Sequence, residues 1–367
     1  MAKAFASVLI DTYNHERFIE QAIVSVLEQD FPSSEREIIV VDDGSTDRTP
    51  EIVKKFEPQV RLLRKENGGQ ASAFNAGIPE CQGEIIAFLD GDDWWALNKL
   101  SRVSAVMMQE PCLGMVGHAI IESRNDHSQR VIALGQPERL RCSDVQSANV
   151  FRLRRAYLGT SRMVLRAALA RKTLPVPEAL LFEADEYLFT LAALEDFMIL
   201  SDPLTYYRIH GGNLFLAPGG NMGGERRKQR VLAALVKGLE DGLTSQGVPA
   251  EVKDCILELV RAEEAQLRLK LDGGRPWETF CAESTVYRVL HADASWKHKM
   301  FRALSMIPAL LLPPRWYYAG RHWLTSQSWY VRLREQSVPV PEITKIHSPG
   351  QTRNDVVTRF TGGSNRS

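Results

Sequence analysis

Over residues 5–109 short apolar runs alternate with stretches of helical periodicity, and that alternation admits few folds. Strand-like runs fall at 7–10, 37–42, 60–64 and 83–89, with helices expected at 18–29, 49–56, 71–78 and 97–109. Runs that are apolar on both faces and joined by helices need cover on both sides, which predicts a largely parallel sheet between helical layers. Beyond 113 the pattern loosens. Strands are expected at 113–121, 131–134, 161–165, 198–201 and 204–210 and a helix at 185–194, so that mixed strands extend the same sheet. The fold class is α/β, a Rossmann-like half-domain with a mixed, mainly parallel sheet.

The run 83–89 delivers Asp90-Gly91-Asp92-Asp93, three carboxylates in four residues. Carboxylates this close repel one another unless one is protonated or a hard divalent ion lies between them, and Mg²⁺ favours one or two carboxylates plus phosphate oxygens. A diphosphate substrate is therefore expected. The plain alternative is a solvated turn, because Asp and Gly dominate turns for local reasons. A second acidic pair, Asp42-Asp43, ends another apolar run and continues as Gly44-Ser45-Thr46-Asp47. Ligands of open α/β sheets sit beyond the carboxyl ends of the strands, so both turns are expected to face one pocket.

The chain has 367 residues, 44% hydrophobic and 25% charged, with 45 Lys+Arg against 45 Asp+Glu. That is the composition of a globular protein, and the balanced charge points away from nucleic acid and towards small molecules. Five scattered cysteines without C-x-x-C spacing suit a reducing compartment. With no signal-like h-region and no run of ~18 apolar residues, a cytoplasmic location is expected. Six glycines within 211–224 resist regular structure and suit a mobile loop. A boundary there divides the chain into a domain at 1–224, a helical region at 225–335 and a Pro/Ser/Thr/Asn/Gly-rich tail at 336–367, expected to be disordered.

Amphipathic helices are expected at 226–243, 250–271, 277–291, 296–310 and 316–334. Residues 296–335 hold seven Lys/Arg against one acid, Glu335, and four Trp at 296, 316, 323 and 329. Two readings fit this stretch: peripheral attachment to an anionic membrane, and a helical subdomain packed on the catalytic core with solvated basic faces.

Four ordered blocks carry a family resemblance. They are Asp11-Thr12-Tyr13-Asn14, the block Val41 to Asp47, the loop Asn67-Gly68-Gly69-Gln70-Ala71, and Asp90-Gly91-Asp92. In these the chain resembles family 2 glycosyltransferases of the GT-A fold, and the match extends more weakly through Gly211. The resemblance implies a metal-dependent, inverting hexosyltransferase-type enzyme. It would use a nucleotide-sugar, a UDP-sugar in the first instance, and a saccharide or lipid-linked acceptor in bacterial surface polysaccharide or glycolipid synthesis.

It also implies residue roles. Asp43 would accept the nucleobase imide N–H, while Asp11, Thr12, Tyr13, Asn67, Gly69 and Gln70 wall the base and ribose. For Tyr13 stacking and simple core packing are both open. Asp92 would hold Mg²⁺ or Mn²⁺, Asp90 would contact ribose or water around it, and His210, in Arg208-Ile209-His210, would complete the metal shell. Asp185 matches the family's base in the pattern D-x-x-L, but Ala184 replaces the usual acid before it, which leaves Glu183 and Glu186 as alternatives. Many relatives carry Arg where this chain has Phe74, a departure that would remove a cation near the diphosphate. Two other classes compete: a nucleotidyltransferase, and a non-catalytic carbohydrate-binding or scaffold protein of the same fold.

Overall fold

The computed structural model describes residues 5–124, 128–210, 222–290 and 296–327. The first half follows the expected alternation: β1 (Ala6–Thr12), α1 (Ile19–Leu27), β2 (Arg36–Asp42), α2 (Thr49–Lys54), β3 (Arg61–Arg64), α3 (Gln70–Gly77), β4 (Ile85–Asp90), the two-residue β5 (Trp94–Trp95) and α4 (Lys99–Gln109). Then come β6 (Met115–Arg124), β7 (Gln129–Ile132), β8 (Glu138–Leu140), α5 (Val145–Arg154), β9 (Val164–Arg166), α6 (Ala167–Lys172), α7 (Ala184–Ala192) and β10 (Phe197–Ile209).

These strands form one sheet in the order β3-β2-β1-β4-β9-β6-β10-β5, with β7 beside β6 and β8 beside β10. The β1–β2, β1–β4, β2–β3 and β6–β10 pairs are parallel, and β9 inserts antiparallel between β4 and β6. Because side chains alternate across a strand, Leu9, Ile39 and Val41 enter one apolar core while Val8, Ile10 and Val40 enter another on the opposite face. The sheet is thus buried on both sides, as its two-sided apolar runs require.

Several expectations need correction. The strands expected at 198–201 and 204–210 are one strand, β10, whose register against β6 slips between Leu200 and Thr205; Pro203 sits in that irregularity, where no ladder donor is needed. No strand or helix was expected over β8, α5 or α6. The signal for α5 was present nonetheless: Asp144 accepts from the amide of Ser147, whose hydroxyl takes the amide of Asp144, a reciprocal cap on the first turn.

The rest is helical, with α8 (Met222–Ser245), α9 (Ala250–Asp272), α10 (Pro276–Leu290), α11 (Trp296–Leu311) and α12 (Pro314–Ser326). The helix expected over 316–334 begins earlier and stops at Ser326, where Gln327 turns extended. Residues 211–221 of the expected loop, 328–335 with Trp329, and the tail 336–367 lie outside the described residues. Val231, Leu232, Leu235, Leu239 and Leu243 of α8 and Ile256, Leu257 and Val260 of α9 continue the core beneath α7 and α5. A separate small cluster joins Leu269 and Ala282 to Ala309, Tyr317 and Tyr318.

Candidate active site

β1, β2 and β4 are parallel neighbours, so their carboxyl ends bring Asp11, Asp43 and the turn after Asp90 to one edge of the sheet. The amide of Gly91 donates to the Asp11 carbonyl at 2.9 Å, and the amide of Asp43 donates to the Thr12 carbonyl at 2.9 Å. Asp185 arrives from the first turn of α7, where its Oδ2 accepts from the Thr160 amide at 3.0 Å and the Thr160 hydroxyl at 3.2 Å.

Electrostatics show how closely these groups crowd. Burial, with Asp185 and Asp92 nearby, pushes the Asp11 carboxyl up to about 8, and one of its oxygens is buried without a hydrogen-bond partner. Burial also raises Asp90 well above the ordinary carboxylate range, and Asp11, Asp93, Asp92 and Asp185 add to the rise. Asp93, almost fully buried, is pushed up to about 7 by burial and by Asp92; it accepts the Arg208 amide at 2.8 Å and leaves its other oxygen unpartnered. Burial would raise Asp92 too, but the hydrogen bond to His210 and the neighbouring His15 and His210 rings outweigh it and hold Asp92 low. His210 Nε2 lies 3.0 Å from Asp92 Oδ2.

The donor set suits a hard divalent ion. Asp11 and Asp93, each with an unpartnered buried oxygen, lie beside Asp92 and His210, which would offer such an ion two donors and leave the rest of its shell to phosphate oxygens and water. Among the described residues no three His, Cys, Asp or Glu side chains form a ready-made cage.

The nucleotide side is built around Asp43. Its carboxylate accepts from the amides of Gly68 at 3.0 Å and Gly69 at 2.7 Å, from Asn67 Nδ2 at 3.2 Å and from Lys65 Nζ at 2.8 Å. Asn67 and Gly69 therefore shape the loop. A nucleobase contact at Asp43 requires one of these donors to yield, and Lys65 is the one on a long flexible stem. Gly69 has φ +83 and packs so tightly that a Cβ there would meet Leu181 Cα at 2.5 Å; Gly44, at φ +77, would meet the Asn67 amide nitrogen at 2.7 Å. Both positions exclude a side chain. Gly44, Arg64, Lys65, Glu66 and Asn67 line an open pocket of about 580 Å³. Tyr13 is 44% exposed, so core packing does not describe it.

Gln70 reaches the acidic group, where its hydrogen bond to Asp11 opposes the rise of that carboxyl. Its Nε2 donates to Thr160 Oγ1 at 3.0 Å and its Oε1 accepts the Ala184 amide at 3.0 Å, so it braces the start of α7 beside Asp185. The three acids at that helix start separate cleanly. Glu186 turns into an ion pair with Arg155 at 2.6 Å. Glu183, in a left-handed conformation at φ 62, lines a cavity of about 260 Å³ with Lys228, Glu263, Gln266, Lys270 and Tyr318. Asp185 alone joins the Asp11 and Asp90 group.

Phe74 is fully buried, edge-on to Phe88 with ring centres 5.4 Å apart. Position 74 faces the core, and the expected loss of a cation from the site does not arise there.

Sequence reasoning gave no role to Arg208, Ser161 or Lys99. The Arg208 guanidinium donates to the Asp92 carbonyl at 2.8 Å and lies between the rings of Trp94, at 4.4 Å, and Phe18, at 4.8 Å, tying β10 to the acidic turn. Ser161 Oγ accepts the Asp90 amide at 3.0 Å and contacts its carboxylate at 3.2 Å. Arg208 lies two residues before His210 in a block singled out for its histidine, so its position was the available signal.

A mixed, mainly parallel sheet with helices on both faces and acidic turns at its carboxyl edge defines a GT-A fold. Residues 7–169 match the family described as Glycosyl transferase family 2, and the chain carries a family 2 glycosyltransferase domain. It is 34% identical over 216 residues to an uncharacterized glycosyltransferase of Nostoc sp., covering 56% of this chain and 65% of that protein. To the poly(ribitol-phosphate) beta-N-acetylglucosaminyltransferase TarS of Staphylococcus aureus it is 30% identical over 213 residues, covering 55% and 35%. The chain thus spans less than two thirds of the length of either curated relative. Among solved structures it is similar to S. aureus TarS 1-349 in complex with UDP-GlcNAc, at 18% identity and a TM-score of 0.49 over 78% of this chain and 91% of that one. It is also similar to the mannosyltransferase PcManGT of Pyrobaculum calidifontis, at 20% identity and a TM-score of 0.49 over 92% and 88%.

Proposed function

We propose that the protein is an inverting, metal-dependent hexosyltransferase that moves a sugar from a nucleotide-sugar, a UDP-sugar in the first instance, to a saccharide or lipid-linked acceptor. The observation that carries this reading is the meeting of Asp11, Asp90, Asp92, Asp93 and Asp185, from β1, the end of β4, the turn after it and α7, in one crowded group beside the Asp43 loop. So dense a set of carboxylates suits a cation-bound diphosphate and ill suits a passive surface. A cell-envelope role draws support from two relatives, TarS and a putative teichuronic acid biosynthesis glycosyltransferase of Bacillus subtilis, TuaG, 38% identical over 114 residues. The enzyme would work in the cytoplasm, reaching the membrane face through residues 296–335.

In this reading Asp92 and His210 hold Mg²⁺ or Mn²⁺, which when bound offsets negative charge on the departing diphosphate. Asp185 takes the proton of the acceptor hydroxyl as that oxygen bonds to the anomeric carbon. The bond from that carbon to the diphosphate oxygen breaks with its electron pair, and a single displacement inverts the centre. Thr160, donating twice to one oxygen of Asp185, fixes the carboxylate's direction. Asp11, Thr12, Tyr13 and the 67–70 loop border the nucleoside, and Asp90 contacts ribose or water.

Screening UDP- and GDP-sugars for Mn²⁺-dependent hydrolysis and thermal stabilisation tests the assignment. Asp92→Ala is expected to lose cation-dependent stabilisation and activity together, whereas Asp185→Asn keeps donor binding and loses roughly 10²–10⁴-fold in turnover. A carbohydrate-binding protein would be indifferent to both changes, and a nucleotidyltransferase would release pyrophosphate from a nucleoside triphosphate.

A further inference from the structure

α11 and α12 carry an apolar face that the fold leaves in solvent. On α11, Trp296, Met300, Leu304, Ile307 and Leu311 recur every three or four residues, the spacing of one helical face, and their exposures run from 46% for Ile307 to 74% for Leu311. Met306 and Ala309, at other angles of the same helix, are buried, Ala309 within the helical cluster. The helix therefore has its packed side already, and the exposed side is a second apolar stripe. It continues past the Leu312-Pro313-Pro314 junction to Trp316, 72% exposed. Contiguous apolar surface of this kind marks an interaction site.

Charge decides among occupants. Residues 296–327 contain five Lys/Arg (Lys297, Lys299, Arg302, Arg315 and Arg321) and no Asp or Glu, in a chain whose total is balanced at 45 against 45; Arg321 is taken up by an ion pair with Glu283 of α10, so the basic excess rests on the other four. A second copy of the chain would bring the same basic segment against itself in a two-fold interface, at a cost in repulsion. An acidic surface meets it favourably. No described helix is long and apolar enough to cross a membrane, and an apolar stripe along one face suits a helix lying in the plane of one. Trp at both ends of the apolar row suits the headgroup boundary, where an indole buries its ring and keeps its N–H wet.

We propose that the α11–α12 face is a bilayer-docking surface: Met300, Leu304, Ile307 and Leu311 enter the acyl boundary of an anionic membrane, and Trp296 and Trp316 anchor at headgroup depth. This deepens the reading of the protein as a transferase acting on lipid-linked acceptors by naming the surface that would hold it at its substrate. The binding itself stands apart from catalysis.

Flotation of the full chain with phosphatidylcholine vesicles, with and without 30% phosphatidylglycerol, tests it. Recovery with the anionic vesicles at low salt is expected to exceed that with neutral ones and to fall in high salt. The double change Leu304→Asp and Ile307→Asp, at solvent-facing positions, is expected to reduce binding at least ten-fold with the melting temperature and soluble-donor hydrolysis unchanged. Quenching of tryptophan fluorescence by brominated lipid gives a reading on the unaltered chain. Protein that stays at the bottom with anionic vesicles at low salt overturns the proposal, as does a concentration-dependent dimer that the same double change dissociates. Donor hydrolysis in solution tests the catalytic reading on its own, so failure of one is distinguishable from failure of the other.

Discussion

Lys99 opens α4 and is fully buried, its ammonium donating to the Ser161 carbonyl at 2.8 Å and to Thr205 Oγ1 at 3.3 Å over the face of Trp95. Burial pulls its proton affinity well below the ordinary range, while Asp93 and Asp90 pull the other way. The ammonium thus ties the 160–162 turn, which carries the Asp185 and Asp90 partners Thr160 and Ser161, to β10 beneath the acidic edge. Lys99→Met keeps the stem's packing and removes the donor, at an expected cost of about 1–3 kcal/mol for acceptors left short of a partner. The check is the urea midpoint, which should fall with an unchanged slope. Nothing in the sequence distinguishes this lysine from one on a wet helix face. Asp92 is different, because crowded acids after an apolar run mark a candidate cation site from local chemistry alone.

α7 shows both what an element's sequence reveals and what it hides. Its helix is legible from apolar periodicity, and the acids at its start are legible as a base and two rivals; which acid faces the site depends on partners 25 to 114 residues away in the chain, Thr160, Arg155 and Gln70. In the same way β4 and β2 are readable from their own runs, whereas β9 inserts antiparallel through pairings no single run specifies. Phe74 reads as a departure in the site and proves to be a core residue, because the face a helical position presents is set by packing.

Glu183, before α7, also makes a prediction. Burial, then Glu186 and Asp185, push its carboxyl from an ordinary 4.5 up to about 8, with Arg155 and Lys228 opposing. The folded chain holds this proton more tightly than the unfolded one, so the associated stability is complete below about pH 4.5 and declines as pH rises to about 8. One such group allows a slope of at most ~1.4 kcal/mol per pH unit. Glu183→Gln, which cannot ionise, is expected to flatten the fall in melting temperature between pH 5 and 8. An unchanged slope would show that the cavity hydrates the carboxylate.

The sequence places a boundary at the glycine-rich stretch, and the apolar contacts invite a different division of the whole molecule. Val231, Leu232, Leu235, Leu239 and Leu243 of α8 are almost fully buried in the core that the sheet and α7 share. At about 1.5–3 kcal/mol for each fully buried side chain, these five together rival the ~5–15 kcal/mol net stability of an ordinary domain. A chain ending at residue 224 would leave their partners on α7, among them Tyr187 and Leu191, facing water. α11 and α12 instead close on the small cluster of Leu269, Ala282, Ala309, Tyr317 and Tyr318, away from the sheet. Truncation after residue 224 is therefore expected to abolish cooperative melting and yield aggregate. Truncation after 295 should preserve a cooperative transition and nucleotide-sugar binding, at a lower melting temperature, because it removes Ala309, Tyr317 and Tyr318 from the small cluster together with the bilayer-docking face. Circular dichroism melts of the two shortened chains decide it, and a well-behaved 1–224 fragment would show that the sheet domain closes its core without the helices that follow.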